Sequence, residues 1–266
     1  MLTTAPADTP IFILCGGLGT RLKEETEFRP KPMVPIGEHP ILWHLMQSYA
    51  RHGFRRFVLC LGFKADFVKS YFRNFHSLNS DCTINLRSGE VAVHEKLRDL
   101  DWDVTLAFTG EANMTGSRVA QAARKYLGAA KTFGVTYGDG LTDADLAAGL
   151  KFHQQSGKLG TVLGVHPPSR FGELRLDGSL VTEFAEKPDL SNTWINGGFF
   201  FFQPGFLPYL SESADCILER TPLVQLARDG QLAISKHEGF WACMDTQRDR
   251  EELTRLATSP NPPWLR

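Results

Sequence analysis

The sequence predicts an α/β protein, with a Rossmann-like, mixed but mostly parallel sheet between helices and a small antiparallel β insertion. Three observations predict it. Short β-rich runs alternate with stretches of helical period along most of the chain, the order that builds a parallel sheet with crossover helices. A glycine-rich turn follows the first apolar run, as at the strand–helix junctions of nucleotide-binding sheets. Residues 81–109 break the helical rhythm and read as β only.

The elements follow in order. Ile11 to Leu14 is a short apolar run, hence a buried strand. His39 to His52 has helical apolar spacing and ends at Gly53, a helix stop. Arg56 to Leu61 is β-rich, and Lys64 to Phe75 is helical in period. Within 81–109, the runs Ile-Asn-Leu, Val-Ala-Val and Asp-Val-Thr-Leu-Ala-Phe predict a β-meander or flap. Ser117 to Leu127 is helical, Phe133 to Tyr137 a strand, and Asp143 to Gln155 a helix closed by Gly157. Thr161 to Val165, Glu173 to Leu176 and Val181 to Glu186 are strand-like, with a hairpin turn at Asp177-Gly178. Ile195 to Phe202 is almost continuously apolar, so it predicts a strand buried on both faces. Glu219 to Arg228 and Asp249 to Ala257 are helical.

Residues 11–266 are enough for one domain, with 1–10 expected as a flexible leader. A net charge of −1 excludes a broad basic field for nucleic acid. The five cysteines, Cys15, Cys60, Cys82, Cys216 and Cys243, form no paired motif, which suits a reducing cytoplasm. Neither a signal peptide nor a membrane span is expected.

The chemistry concentrates at residues 11–37. Cys15-Gly16-Gly17-Leu18-Gly19-Thr20 follows the first strand, and glycines let an anion approach backbone amides with no Cβ in the way. Arg21 follows at once and Lys31 lies between Pro30 and Pro32. Two cations beside an anion cradle point to a polyphosphate. No Gly-Lys-Ser/Thr follows, so this is not a Walker loop, and Leu22 occupies the third glycine position of a dinucleotide fingerprint. Asp139, in Tyr137-Gly138-Asp139-Gly140, follows a strand at the end where α/β sheets bind ligands. It is either a metal-binding carboxylate or part of a turn. Asp245 is either its partner on a metal or a polar residue before a helix, with Thr246 and Asp249 spaced as a capping box. Asn196 and Gly197 open the apolar Phe199–Phe202 run, where an amide can bind hydroxyls, or they are ordinary strand-start residues.

Further runs share a pattern: Lys31-Pro32-Met33, MTGSRV (114–119), TYGDG (136–140), RFGEL (170–174), EKP (186–188), INGGFFFF (195–202) and FWACMDTQRD (240–249). With GGLGTRL, they make the chain similar to the sugar-phosphate nucleotidyltransferases over about residues 11–257, and to their cytidylyl branch in the narrower motifs. The resemblance implies a nucleotidyltransferase fold, CTP and glucose 1-phosphate as substrates, Mg²⁺ on Asp139 and Asp245, and a homo-oligomer, with a hexamer among the candidates and the 81–109 flap as a contact. It implies a nucleotide site at Leu14, Cys15, Gly16, Gly17, Gly19, Thr20, Arg21, Lys31 and Gly138, joined by Thr115, which is otherwise a helix cap, and by Arg118 as a ligand of phosphate or base. It implies a sugar-phosphate site at Gly172, Glu186, Lys187, Asn196 and Gly197, with Lys187 on the phosphate. Arg21, Lys31 and Asp139 are the expected catalytic residues. Cys15 departs from the family's usual alanine. The alternatives are a uridylyl- or thymidylyltransferase, another sugar 1-phosphate, and a non-catalytic nucleotide-binding regulatory subunit. Retention of Arg21, Lys31, Asp139, Lys187 and Asp245 speaks against the last.

Overall fold

A computed structural model describes residues 4–94, 100–167, 173–185 and 193–266. Its centre is a seven-stranded sheet. In chain order the strands are β1 (Ile11–Leu14), β2 (Arg56–Leu61), β3 (Asp103–Phe108), β4 (Phe133–Tyr137), β5 (Gly160–Val165), β6 (Ile195–Phe202) and β7 (Leu232–Lys236). Across the sheet they run β7-β5-β6-β4-β1-β2-β3. β6 is antiparallel to both neighbours and every other pairing is parallel. The mostly parallel sheet expected from the alternation is present.

Successive residues of a strand face opposite sides, and the core divides accordingly. Ile11, Ile13, Phe57, Leu59, Phe199 and Phe201 pack on one side, under the helices Ile41–Arg51 and Leu146–Ser156. Phe12, Leu14, Val58, Phe133, Phe200 and Phe202 pack on the other, under Thr115–Tyr126 and Thr221–Arg228. Phe199 to Phe202 are all buried, which confirms β6 as a strand covered on both faces. Each such phenylalanine contributes on the order of 1.5–3 kcal/mol by leaving water. Local signals set the helix ends. Asp145 caps Leu146–Ser156 by accepting from the Ala148 amide at 2.8 Å. Gly157 (φ +65°) ends it in the left-handed region that a side chain would strain.

Three expectations need correction. Cys82–Ile84 and Val91–Val93 form an antiparallel hairpin, but the third run of 81–109 is β3, parallel to β2 at the sheet edge. The helix Ala65–Arg73 lies between β2 and β3 and supplies the crossover that a parallel pair requires; the hairpin is an insertion in that unit. Residues 4–10 are not loose: Thr9 is fully buried, Gln154 donates to the Thr4 carbonyl and Arg56 to that of Asp8. Thirdly, the helix expected from Asp143 begins at Leu146, after a short strand, Gly140–Thr142, whose partner is the remote Trp241–Cys243. The hairpin Glu173–Asp177/Leu180–Ala185 forms with Gly178 in its turn, as the Asp-Gly pair indicates.

Candidate active site

β1 has β2 on one side and β4 on the other, so the chain order reverses there. Such a switch point opens a crevice at the carboxyl ends of the strands. A cavity of about 510 Å³ lies there, lined by the end of β1, the glycine loop, Tyr137 to Gly140, the start of β6 and the Trp241–Asp245 segment.

The glycine loop is held from behind. Cys15 donates its amide to the Cys60 carbonyl at 3.1 Å, and the Gly16 carbonyl accepts from Phe63 N at 3.3 Å and Arg118 Nη2 at 3.0 Å. Gly19 takes φ +63°, and a Cβ there would lie 2.7 Å from Thr26 Cγ2. No other residue fits that bend cheaply. Among the described residues, the amides of Gly17, Leu18 and Gly19 have no protein acceptor, which leaves them for an anion. Arg21 follows, with 73% of its side chain exposed.

Opposite the loop, Lys31 sits in a single helical turn, Lys31–Met33, between two prolines. Its ammonium donates to Asp139 Oδ2 and to Asp245 Oδ1, both at 2.6 Å. Arg21 Nη1 donates to Asp245 Oδ2 at 2.8 Å. The ribbon formed by Gly140–Thr142 and Trp241–Cys243, together with the Met244 amide on the Asp139 carbonyl at 2.9 Å, brings the two aspartates together. A capping box of Thr246 and Asp249 starts the helix Gln247–Ala257 immediately after Asp245, as the spacing predicts. Gly138 allows the close approach, since a Cβ would lie 2.8 Å from Pro32 Cγ and 2.9 Å from the Leu14 carbonyl.

Charges set the protonation states. Burial alone would lower the Lys31 ammonium, but the charge of Asp139 and hydrogen bonds to both aspartates outweigh it and hold it above its ordinary value. Burial would raise Asp245, but Lys31 and Arg21 hold it below the usual carboxylate range. Burial, then the charges of Asp245 and Asp139, push the Cys243 thiol up to about 12. It therefore stays a neutral wall group, with Sγ 3.7 Å from Asp245 Oδ2. The carboxylate oxygens of Asp139 and Asp245 converge on one cationic centre and are hard donors. Among the described residues no set of three His, Cys, Asp or Glu side chains could hold a metal. Two carboxylates suit a cation that takes its other ligands from water and phosphate, as Mg²⁺ does.

Of the sequence-derived residues, Leu14, Cys15, Gly17, Gly19, Thr20, Arg21, Lys31, Thr115, Gly138, Asp139, Asn196, Gly197 and Asp245 line this cavity. Gly16 does not; it is buried against the Arg118 guanidinium. Arg118 does not either, and the structure places it elsewhere than on a phosphate or base. It is 3% exposed, and its Nη1 and Nη2 donate to the carbonyls of Leu61, Gly110, Gly16 and Glu111 and to Thr109 Oγ1. Carbonyls already surround the group, so it braces the loop from below. Thr115 opens its helix, whose N-cap is Met114; its hydroxyl donates to Glu219 at 2.7 Å. Gly172, Glu186 and Lys187 lie outside the described residues.

Sequence reasoning missed three groups here. Tyr137 lies in a quoted motif and lines the cavity, and its hydroxyl donates to Glu219. Trp241 closes one wall, with Nε1 donating to the Gly197 carbonyl at 2.7 Å. Glu219 belongs to no motif, and only the fold brings it near.

Comparison with known proteins agrees with this geometry. A sequence model of the family described as Nucleotidyl transferase matches residues 11–245. The chain is 43% identical over 252 residues to the glucose-1-phosphate cytidylyltransferase of Salmonella typhi, covering 95% of this chain and 97% of that one. It is 37% identical over 252 residues, with the same coverage, to a Bacillus subtilis protein assigned that activity. In three dimensions it superimposes, with a TM-score of 0.67, on a Bacillus anthracis protein assigned as a glucose-1-phosphate thymidylyltransferase and crystallised with sucrose. That pair shares 18% identity, with 95% and 96% of the two chains covered, a likeness of fold alone. With residues 11–245 matched and its cation, glycine loop and paired aspartates gathered in one cavity, the chain belongs to the nucleotidyl transferase family.

Proposed function

We propose that the chain transfers a cytidylyl group from CTP to α-D-glucose 1-phosphate, giving CDP-glucose and pyrophosphate. The observation that carries the reaction type is the convergence of Lys31, Asp139 and Asp245 in front of the glycine loop. The choice of cytosine and glucose is supported by the 43% identity to the Salmonella typhi enzyme.

The chain's own residues account for the chemistry. A sugar phosphate oxygen is already a nucleophile, so no strong base is needed. The obstacle is repulsion between two polyanions and charge growth on the α-phosphate. The free amides of the glycine loop and Arg21 hold the triphosphate. Lys31, in reach of both aspartates, places its charge between the two phosphate groups. Asp139 and Asp245 would hold Mg²⁺, which when bound neutralises phosphate charge. Asn196 and Gly197 face the cavity for the sugar, and Lys187 and Glu186 complete that side of the reading. Displacement in line releases pyrophosphate, by positioning and electrostatics.

The same reading includes one catalytic domain over 11–266, a cytoplasmic location and a homo-oligomer. Free cysteines, and the lack among the described residues of a helix long and apolar enough to cross a membrane, are consistent with it. Exposed Ile84, Leu86 and Val91 on the 82–93 hairpin support it as a contact between copies. A pyrophosphate-release assay with Mg²⁺ and glucose 1-phosphate against CTP, UTP, dTTP and ATP tests the assignment. CTP should be turned over fastest. A preference for dTTP or ATP would overturn the cytidylyl reading and leave the class intact.

A further inference from the structure

One carboxylate behind the cavity joins three separate segments. Tyr137 ends β4, Thr115 opens the helix Thr115–Tyr126, and Glu219 lies just before the helix Thr221–Arg228. The Tyr137 hydroxyl donates to Glu219 Oε1, and Thr115 Oγ1 donates to Glu219 Oε2 at 2.7 Å. Thr115 Oγ1 also accepts from the Leu218 amide at 2.9 Å, so that hydroxyl is fixed in both of its roles. Tyr137 and Thr115 line the cavity and Glu219 does not. A Cβ on Gly198 would meet the Tyr137 ring at 2.4 Å, so the ring is wedged against the strand that carries Asn196. Asn196 Nδ2 comes within 3.5 Å of the Tyr137 oxygen.

A carboxylate only accepts hydrogen bonds, so both hydroxyls must turn their protons towards it. The Tyr137 oxygen is left as an acceptor, with no proton to offer a ligand. Phosphate oxygens, which also only accept, find no donor in the Tyr137 hydroxyl, and the neighbouring Asn196 Nδ2 is turned towards that oxygen. They are left to the loop amides, Arg21 and Lys31. A group with a proton to donate, such as a sugar hydroxyl, can bind at Tyr137.

We infer that Glu219 is a positioning residue that fixes Tyr137 as a hydrogen-bond acceptor, so that the neutral hydroxyls of the sugar phosphate, and not its phosphate, dock on that wall. The inference rests on the proposed reading of the cavity as a sugar-phosphate site. It adds a residue that touches no substrate, acting through Tyr137 and secondarily through Thr115.

The experiment measures kcat and KM for both substrates in wild type, Glu219→Ala, Glu219→Gln, Tyr137→Phe and the two double variants. Wild type is first assayed with several nucleotides and sugar phosphates, and the pair it uses best serves throughout, so a wrong substrate assignment is recognised before any variant is read. Glu219→Ala should raise KM for the sugar phosphate about tenfold, the scale of a buried hydrogen bond broken with its partner left unpaired. KM for the nucleotide and kcat should each change less than that. Glu219→Gln, which keeps the shape and can still hold one hydroxyl, should recover most of the loss. In the Tyr137→Phe background, Glu219→Ala should add little. An unchanged sugar-phosphate KM in Glu219→Ala, or a full tenfold effect that persists without the Tyr137 hydroxyl, would overturn the inference. Should Glu219→Ala fail to fold, Tyr137→Phe alone decides, since it removes the acceptor that Glu219 fixes: it should raise the sugar-phosphate KM more than the nucleotide KM, and an unchanged sugar-phosphate KM would overturn the inference.

Discussion

Arg118 and Lys31 both reach the glycine loop from outside it, and they differ in what surrounds their charge. Arg118 is beneath the loop, 3% exposed, and meets backbone carbonyls and one threonine hydroxyl. Lys31 is in front of it, facing the cavity and two carboxylates. Carbonyl dipoles satisfy a guanidinium in place and leave it nothing to exchange with a ligand. Carboxylates on an ammonium form a cluster that an incoming polyanion and its counter-ion can rearrange. The same kind of charge is a brace in one place and, in the proposed reading, a reagent in the other, and the ligands around it decide which.

The largest effect should come from the carboxylates paired with Lys31. Asp139→Asn and Asp245→Asn each keep size and remove charge, and should lower turnover by about two to four orders of magnitude, the scale of losing a preorganised electrostatic element. Pyrophosphate release reads this, and near-normal turnover in both variants would remove the basis of the contrast.

Next come the two cations compared directly. Arg118→Met leaves its carbonyl acceptors buried without donors and should cost about 3–5 kcal/mol of unfolding free energy. Lys31→Met should lower turnover roughly ten- to a hundredfold and cost less stability than Arg118→Met. Urea unfolding and steady-state kinetics on both proteins separate the roles, and the reverse order of stability losses would break the comparison.

pH sharpens it. Lys31 is raised in the fold, so its contribution is complete below its ordinary value of 10.5 and is lost as pH rises through the folded value. Asp245 is lowered, so its contribution is complete above 3.8 and is lost as pH falls through the folded value. The difference in urea midpoint between wild type and Lys31→Met should therefore stay flat from 3.8 to 10.5 and change only outside that window. A step near neutral pH would point to another titrating group.

The smallest effect belongs to the support behind Asp245. Thr246→Ala removes the cap of Gln247–Ala257 and should cost ~1 kcal/mol, with turnover reduced less than twofold. A larger kinetic loss would show that the cap sets the position of the aspartate.

What could be read from the chain was local. Ile11–Leu14 followed by Gly-Gly-Leu-Gly indicated strand and loop because a short apolar run and a turn without Cβ atoms need no distant partner. The Asp177-Gly178 turn, the Thr246–Asp249 capping box and the buried Phe199–Phe202 run were legible for the same reason. Arg118 was misread because its motif lies beside a site, while its surroundings come from Leu61, Gly16 and the 109–111 turn.

Backbone propensity and side-chain pattern thus determined the elements, the glycine loop and the identity of Lys31, Asp139 and Asp245 as candidates. Tertiary structure alone decided that Asp-Val-Thr-Leu-Ala-Phe joins the main sheet, that Trp241–Cys243 pairs with Gly140–Thr142 to bring the aspartates together, and that Glu219 stands behind Tyr137. The physical reason is range: propensities act over a few residues, whereas these pairings depend on sheet order and on which buried polar groups find partners after the core has closed.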